Sequence, residues 1–158
     1  MSERDRFEAL VREKALLHLD ASVLALHLAG IEASLPLTRT LFRLMDAGDV
    51  QAQTSALSLY QLLMESYRRG EQSTADRIER LIGAMPGLTV IPLDGRIARQ
   101  AAQVRARIGG GLERSIQLAT ALSEEADLFL TRHSSLRRVA GMGIESLDAY
   151  TVKFPASQ

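Results

Sequence analysis

The chain has 158 residues, with 19 Lys and Arg side chains against 19 Asp and Glu, and it contains no cysteine. One domain is expected at this length, and the lack of cysteine excludes a disulfide-stapled secreted scaffold, a thiolate zinc site and a cysteine nucleophile. No apolar run approaches the ~18 residues of a membrane span, and the amino end MSERDRFEAL is charged where a signal peptide would be apolar, so we expect a cytoplasmic protein without a membrane role.

Residues 1–14 are predicted to be a charged extension that precedes the domain. Phe7, Leu10 and Val11 stand at the i, i+3 and i+4 positions of one helix face, which predicts a short amphipathic helix. Such a helix fits a role in assembly, and it equally fits a frayed, solvated end. The domain itself is predicted to cover residues 15–150 and to be followed by a tail at 151–158.

Within residues 15–150, short apolar runs alternate with segments of helical periodicity. The apolar runs predict strands at 15–19, 52–57, 88–93, 127–131 and 143–147. The periodic segments predict helices at 21–30, 36–48, 58–69, 73–85, 94–108 and 112–123, with Asp94 as an N-cap and the glycines at 109–111 as a helix stop. Strands that alternate with helices form βαβ units, so the sequence predicts an α/β fold with a mostly parallel sheet flanked by helices.

Polar residues that directly follow predicted strands are the candidates for chemistry, because functional groups of open α/β sheets gather at the carboxyl ends of the strands. Asp20 follows the first strand and is the leading site candidate, and it also fits the N-cap of the next helix. His18 lies on the same strand face as Asp20, where it fits either a metal ligand or a packed core residue. A basic cluster after the fourth strand fits either an anion site or a solvated helix face. Its members are Arg132, His133, Arg137 and Arg138.

Four segments taken together resemble the PIN domain of VapC-type toxins, in order and in spacing. They are LLHLDASVL, TSALSLYQLLMES, LERSIQLATAL and ADLFLTRHSSL, and the resemblance covers about residues 15–150. It implies a small parallel sheet of about four or five strands wrapped by helices. It also implies a metal-dependent ribonuclease, in which three or four acidic side chains hold Mg²⁺ or Mn²⁺. Such ions prefer carboxylate oxygens, and they activate water and stabilise charge on the phosphodiester.

Only one of the four acidic positions that the resemblance implies is acidic in this chain. In chain order the four positions are Asp20, Gln61, Arg114 and His133, and the supporting polar positions are Ser22 and Thr131. Arg114 stays charged at any pH and would repel a divalent cation. At a separation of ~4 Å and an effective dielectric constant of ~20, each interaction between unit charges is on the order of 4 kcal/mol. We therefore expect the affinity for Mg²⁺ or Mn²⁺ to be reduced by orders of magnitude.

The leading hypothesis is a catalytically inactive PIN-like protein, a pseudoenzyme with a degenerate active site and a binding or regulatory role. In this hypothesis Asp20 pairs with Arg114, and no cofactor is required. The resemblance implies an antitoxin-like protein as the partner and a homo-oligomeric state such as a dimer. RNA is the other expected partner, and nothing in the sequence indicates DNA.

Two alternatives stay open at this point. One is a divergent ribonuclease that uses Mg²⁺ or Mn²⁺, with Asp20 joined by Glu65 and by Glu113. Glu65 lies about one turn, ~6 Å, from Gln61, and it also fits a solvated carboxylate among neighbouring arginines. Gln61 has a structural alternative as well, in a capping box with Ser58. The other alternative is metal-free binding of phosphate or RNA by Arg114, His133 and the basic cluster.

Overall fold

The computed structural model describes residues 1–30, 32, 34–133 and 142–150, and in these ranges seven α-helices and five strands follow one another. The helices are α1 (Glu3–Arg12), α2 (Ala21–Ala29), α3 (Leu35–Asp46), α4 (Ala56–Arg68), α5 (Gln72–Gly83), α6 (Gly95–Ile108) and α7 (Leu112–Ser123). The strands are β1 (Leu17–Leu19), β2 (Ala52–Ser55), β3 (Leu88–Ile91), β4 (Leu128–Thr131) and β5 (Gly143–Ser146), before a short 3-10 helix at Leu147–Ala149. The predicted α/β fold is confirmed, whereas Arg137, Arg138 and the tail at 151–158 lie outside the described residues.

All five described strands pair in parallel in one sheet of order β3-β2-β1-β4-β5. β1 is central: Leu17 is in register with Ala52 of β2 on one side and with Leu128 of β4 on the other. The chain adds β2 and β3 on one side of β1 and then crosses over to add β4 and β5 on the other. The carboxyl ends of β1 and β4 therefore flank the point where the strand order reverses, which is where open α/β sheets bind ligands.

The predicted amino-terminal helix exists as α1, and it is packed rather than frayed. Phe7 and Val11 are fully buried and belong to the main hydrophobic core, together with residues of β1, α2 and α3. The Phe7 ring also meets Tyr150 edge to face, with ring centroids 5.5 Å apart. The role of α1 in assembly stays a prediction. Within the described part of the chain, no helix is both long enough and apolar enough to cross a membrane.

Local sequence signals set several helix ends. Asp20 caps α2, Asp94 caps α6, and Gly30 ends α2 in the left-handed region at φ 63°. The capping box predicted for Ser58 and Gln61 is wrong, because α4 begins at Ala56 and its N-cap is Ser55, whose Oγ accepts a hydrogen bond from the Leu57 amide at 3.1 Å. β2 passes into α4 without a loop, so Ser58 lies inside the helix instead of at its start.

Candidate functional site

A cleft of about 590 Å³ lies at the carboxyl ends of β1 and β4, at the reversal of the strand order. The side chains that matter for its chemistry are Asp20, Gln61, Glu113, Arg114, Gln117 and His133. The four positions carried over from the PIN resemblance are thus brought to one cleft, although they are spread over more than a hundred residues of sequence. Glu113 joins them from the first turn of α7.

The Asp20 carboxylate is held by four hydrogen bonds from neutral donors. Oδ1 accepts from the Ser22 amide at 3.0 Å, from the Ser22 hydroxyl at 2.5 Å and from the Val23 amide at 3.3 Å. Oδ2 accepts from Thr131 Oγ1 at 2.6 Å. The N-cap role of Asp20 is therefore confirmed. Arg114 lines the same cleft, and its charge pair with Asp20 stays a prediction.

Ser22 and Thr131 extend this arrangement to the chain that leaves β4. Ser22 Oγ accepts a hydrogen bond from the Arg132 amide at 2.9 Å, and Thr131 Oγ1 accepts one from the His133 amide at 3.0 Å. The two hydroxyls thus connect the Asp20 carboxylate to the backbone of residues 132 and 133. The end of β1, the start of α2 and the end of β4 are joined into one polar unit.

The loop between α6 and α7 places Arg114 in the cleft. Gly109 ends α6 with φ 71°, as predicted for a helix stop, and Gly110 has φ 88°. A Cβ atom at Gly110 would lie 3.2 Å from Cδ of Arg114, so the absence of a side chain there lets the arginine stem pack against the loop. Arg114 is half-buried, which strengthens the influence of its charge on the cleft.

Among the described residues, the side chains that line the cleft supply few of the oxygen ligands that a resident Mg²⁺ or Mn²⁺ ion requires. Hard divalent cations require several oxygen ligands, commonly two or more carboxylates at one point. Among the residues that the structure describes, no three Asp, Glu or His side chains form a group that could hold a metal ion. Asp20 brings one carboxylate to this cleft, and Arg114 contributes a positive charge to it.

The two other carboxylates considered from the sequence have different positions. Glu65 is exposed on α4 and does not line the cleft; its Oε1 lies 2.9 Å from Nε of Arg69 and its Oε2 lies 4.0 Å from Arg68. Glu113 does line the cleft. Of the predicted basic cluster, Arg132 forms an ion pair with Asp148 at 3.5 Å, and His133 lines the cleft.

His18 is a packed core residue rather than a metal ligand. The side chain is fully buried and stacks on Phe129, with ring centroids 4.9 Å apart. Its Nε2 donates to Gln117 Oε1 at 2.8 Å, and Nδ1 accepts from Gln53 Nε2 at 3.2 Å. Burial lowers the pKa of His18 to about 4, so the ring is neutral near pH 7.

Gln117 continues from His18 as a buried polar chain beneath the cleft. Its Nε2 donates to Ser58 Oγ at 2.8 Å; Ser58 is hydrogen-bonded to Thr54 Oγ1 at 2.7 Å, which donates to the Leu19 carbonyl at 2.6 Å. Gln117 was missed from the sequence because it stands alone among apolar and small residues of α7. The one available signal was that two residues of predicted buried strands, His18 and Gln53, are polar and therefore require hydrogen-bond partners in the core.

Neither a protein-family model nor a curated protein matches this sequence. Solved structures do match it in three dimensions. VapBC2 from Rickettsia felis, bound to a DNA fragment from its promoter, has 12% identity and a TM-score of 0.67 over 83% of this chain and 98% of that chain. DNA-bound VapBC from Salmonella typhimurium has 19% identity and a TM-score of 0.61 over 83% and 97%. VapC20 from Mycobacterium tuberculosis, a toxin that cleaves the sarcin–ricin loop, has 15% identity and a TM-score of 0.56 over 72% and 86%. This chain has the PIN-domain fold of VapC-type toxins.

Proposed function

We propose that this chain is a PIN-fold protein that has lost metal-dependent RNA cleavage and acts by binding a partner. The observation that carries the proposal is the composition of the cleft. Gln61, Arg114 and His133 occupy three of the four positions at which the PIN resemblance implies acids, and all three line the cleft with Asp20. An amide, a guanidinium and an imidazole supply no negative charge, so a divalent cation would gain little there and would be repelled by the arginine.

An antitoxin-like protein is the partner that we propose. The solved structures with the same fold include toxin–antitoxin and VapBC complexes, which supports a protein partner for this fold. A PIN-fold protein that loses the nuclease site but keeps the surface that contacts its protein partner would still bind that partner. The predicted homo-oligomer and the cytoplasmic location belong to the same proposal, and light scattering of the full chain tests the oligomeric state.

The test combines a calorimetric titration of the full chain with Mn²⁺ and a ribonuclease assay on the same preparation. We expect no saturable uptake of Mn²⁺ at millimolar concentrations and no RNA cleavage that depends on this protein. Saturable uptake together with cleavage that Asp20→Asn abolishes would overturn the proposal. Asp20→Asn is preferred to Asp20→Ala because the side-chain amide keeps the shape of the carboxylate and one acceptor oxygen, which can retain the hydrogen bond from either the Ser22 or the Thr131 hydroxyl.

A divergent ribonuclease is the second candidate, and the presence of Glu113 in the cleft is the observation that favours it. In that case Glu113→Gln removes the activity, whereas Glu65→Gln, outside the cleft, leaves it unchanged. The two variants make the same chemical change on neighbouring helices, so they control for each other. Activity that is lost in Glu65→Gln but kept in Glu113→Gln would contradict this second candidate.

A further inference from the structure

β5, the strand at one edge of the sheet, has little backbone pairing to hold it in place. It consists of the four residues Gly143–Ser146, and among the described strands only β4 pairs with it. A short parallel strand with one neighbour has few ladder hydrogen bonds, so its stability depends on further contacts. The 3-10 helix at Leu147–Ala149 follows directly, and Leu147 is fully buried in the main core. The residues after β5 therefore help to attach it.

Tyr150 connects β5 to α1. The ring of Tyr150 lies edge to face with that of Phe7, with centroids 5.5 Å apart and an interplanar angle of 63°. The guanidinium carbon of Arg6 lies 5.8 Å from the centre of the same ring, within the range of a cation–π contact. Burial, and then the charge of Glu145, raises the pKa of Tyr150, so near pH 7 the phenol keeps its proton and donates to Glu145 Oε2 on β5 at 3.5 Å. One side chain thus contacts both α1 and β5.

The carboxyl-terminal half of α1 is attached to α3 and to the turn that follows it. Oε2 of Glu8 lies 3.4 Å from Nη2 of Arg43 on α3, and Nη1 of Arg12 lies 3.1 Å from Oδ2 of Asp49. Exposed ion pairs of this kind contribute little free energy each, so the apolar face of α1 in the main core supplies most of the attachment. α1 therefore joins the α3 side of the core to the residues that follow β5.

β5 and the 3-10 helix in turn hold the part of the chain that brings His133 to the cleft. Ser146 Oγ donates to the Arg132 carbonyl at 3.1 Å, and Oδ1 of Asp148 lies 3.5 Å from Nε of Arg132. The Arg132 amide donates to Ser22 Oγ at 2.9 Å. Arg132 is thus tied both to the β5 edge and to the polar unit around the start of α2, and the next residue, His133, lines the cleft.

We propose that α1 is a strap that holds β5 against β4 through Tyr150 and, through Arg132, fixes the position of His133 at the cleft. The inference goes beyond the proposed function, since it does not depend on what the cleft binds. In the competing explanation α1 only adds apolar area to the core, and β4 alone positions β5. The two differ in where the molecule loosens when the contact between α1 and Tyr150 is weakened. A strap predicts loosening confined to β5 and residues 132–133.

The experiment is native-state amide hydrogen exchange of the full chain at pH 7, followed residue by residue by NMR. Tyr150→Leu removes the ring contacts and the hydroxyl but keeps an apolar side chain. We expect the amides of β5 and of residues 132–133 to exchange about tenfold faster relative to those of β2, because two ring contacts and one hydrogen bond are lost. We also expect the ring resonances of His133 to shift, which a purely structural role of α1 in the core would not cause.

Ile82→Ala is the matched control for a general loss of stability. Ile82 is buried in the same core, but it lies on α5, which precedes β3 at the opposite edge of the sheet. This variant should accelerate exchange without favouring β5 and should leave the His133 resonances in place. Equal acceleration in β2 and β5 by Tyr150→Leu, as in Ile82→Ala, would overturn the inference. Loosening of β5 with unshifted His133 resonances would remove its link to the cleft.

Arg6→Gln carries the same test if Tyr150→Leu does not fold. The Arg6 side chain is 55% exposed, so the change is mild, and it removes only the cation over the Tyr150 ring and the ion pair with Glu3. We expect exchange in β5 to rise about threefold. Glu3→Gln, which removes that ion pair and keeps the cation, should leave β5 unchanged. The same effect in both variants, or none in Arg6→Gln, would contradict the strap.

Discussion

Asp20 acts as a structural residue in this chain, whatever else it does. Its carboxylate closes the first turn of α2 and, through Ser22 and Thr131, holds the end of β4 beside the end of β1. The side chain is only 7% exposed, so donors left without it would be buried and unsatisfied. A buried donor that loses its acceptor destabilises the folded state by more than the net free energy that the original hydrogen bond contributed.

The first prediction concerns Asp20. Asp20→Ala should lower the free energy of unfolding by about 2–4 kcal/mol, because it removes an N-cap and leaves two hydroxyl groups without their acceptor. Urea unfolding at pH 7 measures the change. Ser22→Ala is the comparison, since it removes one hydroxyl donor to Asp20 and the acceptor of the exposed Arg132 amide, and it should cost about 1–2 kcal/mol. Equal stability of Asp20→Ala and the unaltered chain would contradict the structural role.

The second prediction concerns His18, whose pKa is lowered to about 4 by burial. Between pH 6.5 and about 4 the unfolded state binds a proton that the folded state excludes, so this residue makes stability fall as the pH falls through that window. The loss should reach about 3 kcal/mol at most. His18→Gln should remove this part of the pH dependence, measured as urea unfolding at pH 7 and pH 4.5. Parallel losses in both proteins would contradict the assignment.

At the scale of elements, α1 is part of the packed structure, because Phe7 and Val11 lie in the main core and Phe7 contacts the Tyr150 ring. The sequence predicted the helix and its apolar face from the spacing of residues 7, 10 and 11. It did not determine what that face covers, since periodicity reveals which side of a helix is apolar but not which surface it meets.

The third prediction tests that packing. Phe7→Ala should lower the free energy of unfolding by about 3–5 kcal/mol, as for other fully buried phenylalanines. Arg4→Ala on the exposed side of α1 is the control and should change it by less than about 0.5 kcal/mol. Thermal or urea unfolding of the three proteins gives the comparison. A Phe7→Ala variant as stable as Arg4→Ala would mean that α1 is only loosely attached.

At the scale of the molecule, the balanced charge of 19 basic and 19 acidic residues conceals two local differences. The cleft at the reversal of the strand order combines Asp20 and Glu113 with Arg114. A hollow between α2 and α5 contains Arg77 and Arg80 and, among the described residues that line it, no Asp or Glu. The fold thus separates a polar cleft of mixed charge from a largely apolar hollow that two arginines border.

The fourth prediction follows from the cleft. The triple variant Gln61→Glu, Arg114→Asp and His133→Asp introduces three carboxylates next to Asp20 and removes the guanidinium. We expect it to bind Mn²⁺ in calorimetry where the unaltered chain does not, because carboxylate clusters are the ligands that this ion prefers. Adding Asp20→Asn to the triple variant should weaken that binding. A folded triple variant without Mn²⁺ binding would contradict the idea that side-chain charge alone separates this cleft from a metal site.

By itself, the sequence determined the order and kind of the elements, and its resemblance to the PIN domain implied that Asp20, Gln61, Arg114 and His133 share one site. Apolar periodicity and several helix ends are local properties, and the carboxyl ends of parallel strands, where Asp20 and His133 stand, meet by topology. Only the tertiary structure decided that Ser58 bonds to Gln117, that Glu65 turns away to Arg69, and that α2 and α5 leave a groove between them. These features depend on contacts between side chains far apart in the chain, whose distances are set by how the helices pack on the sheet.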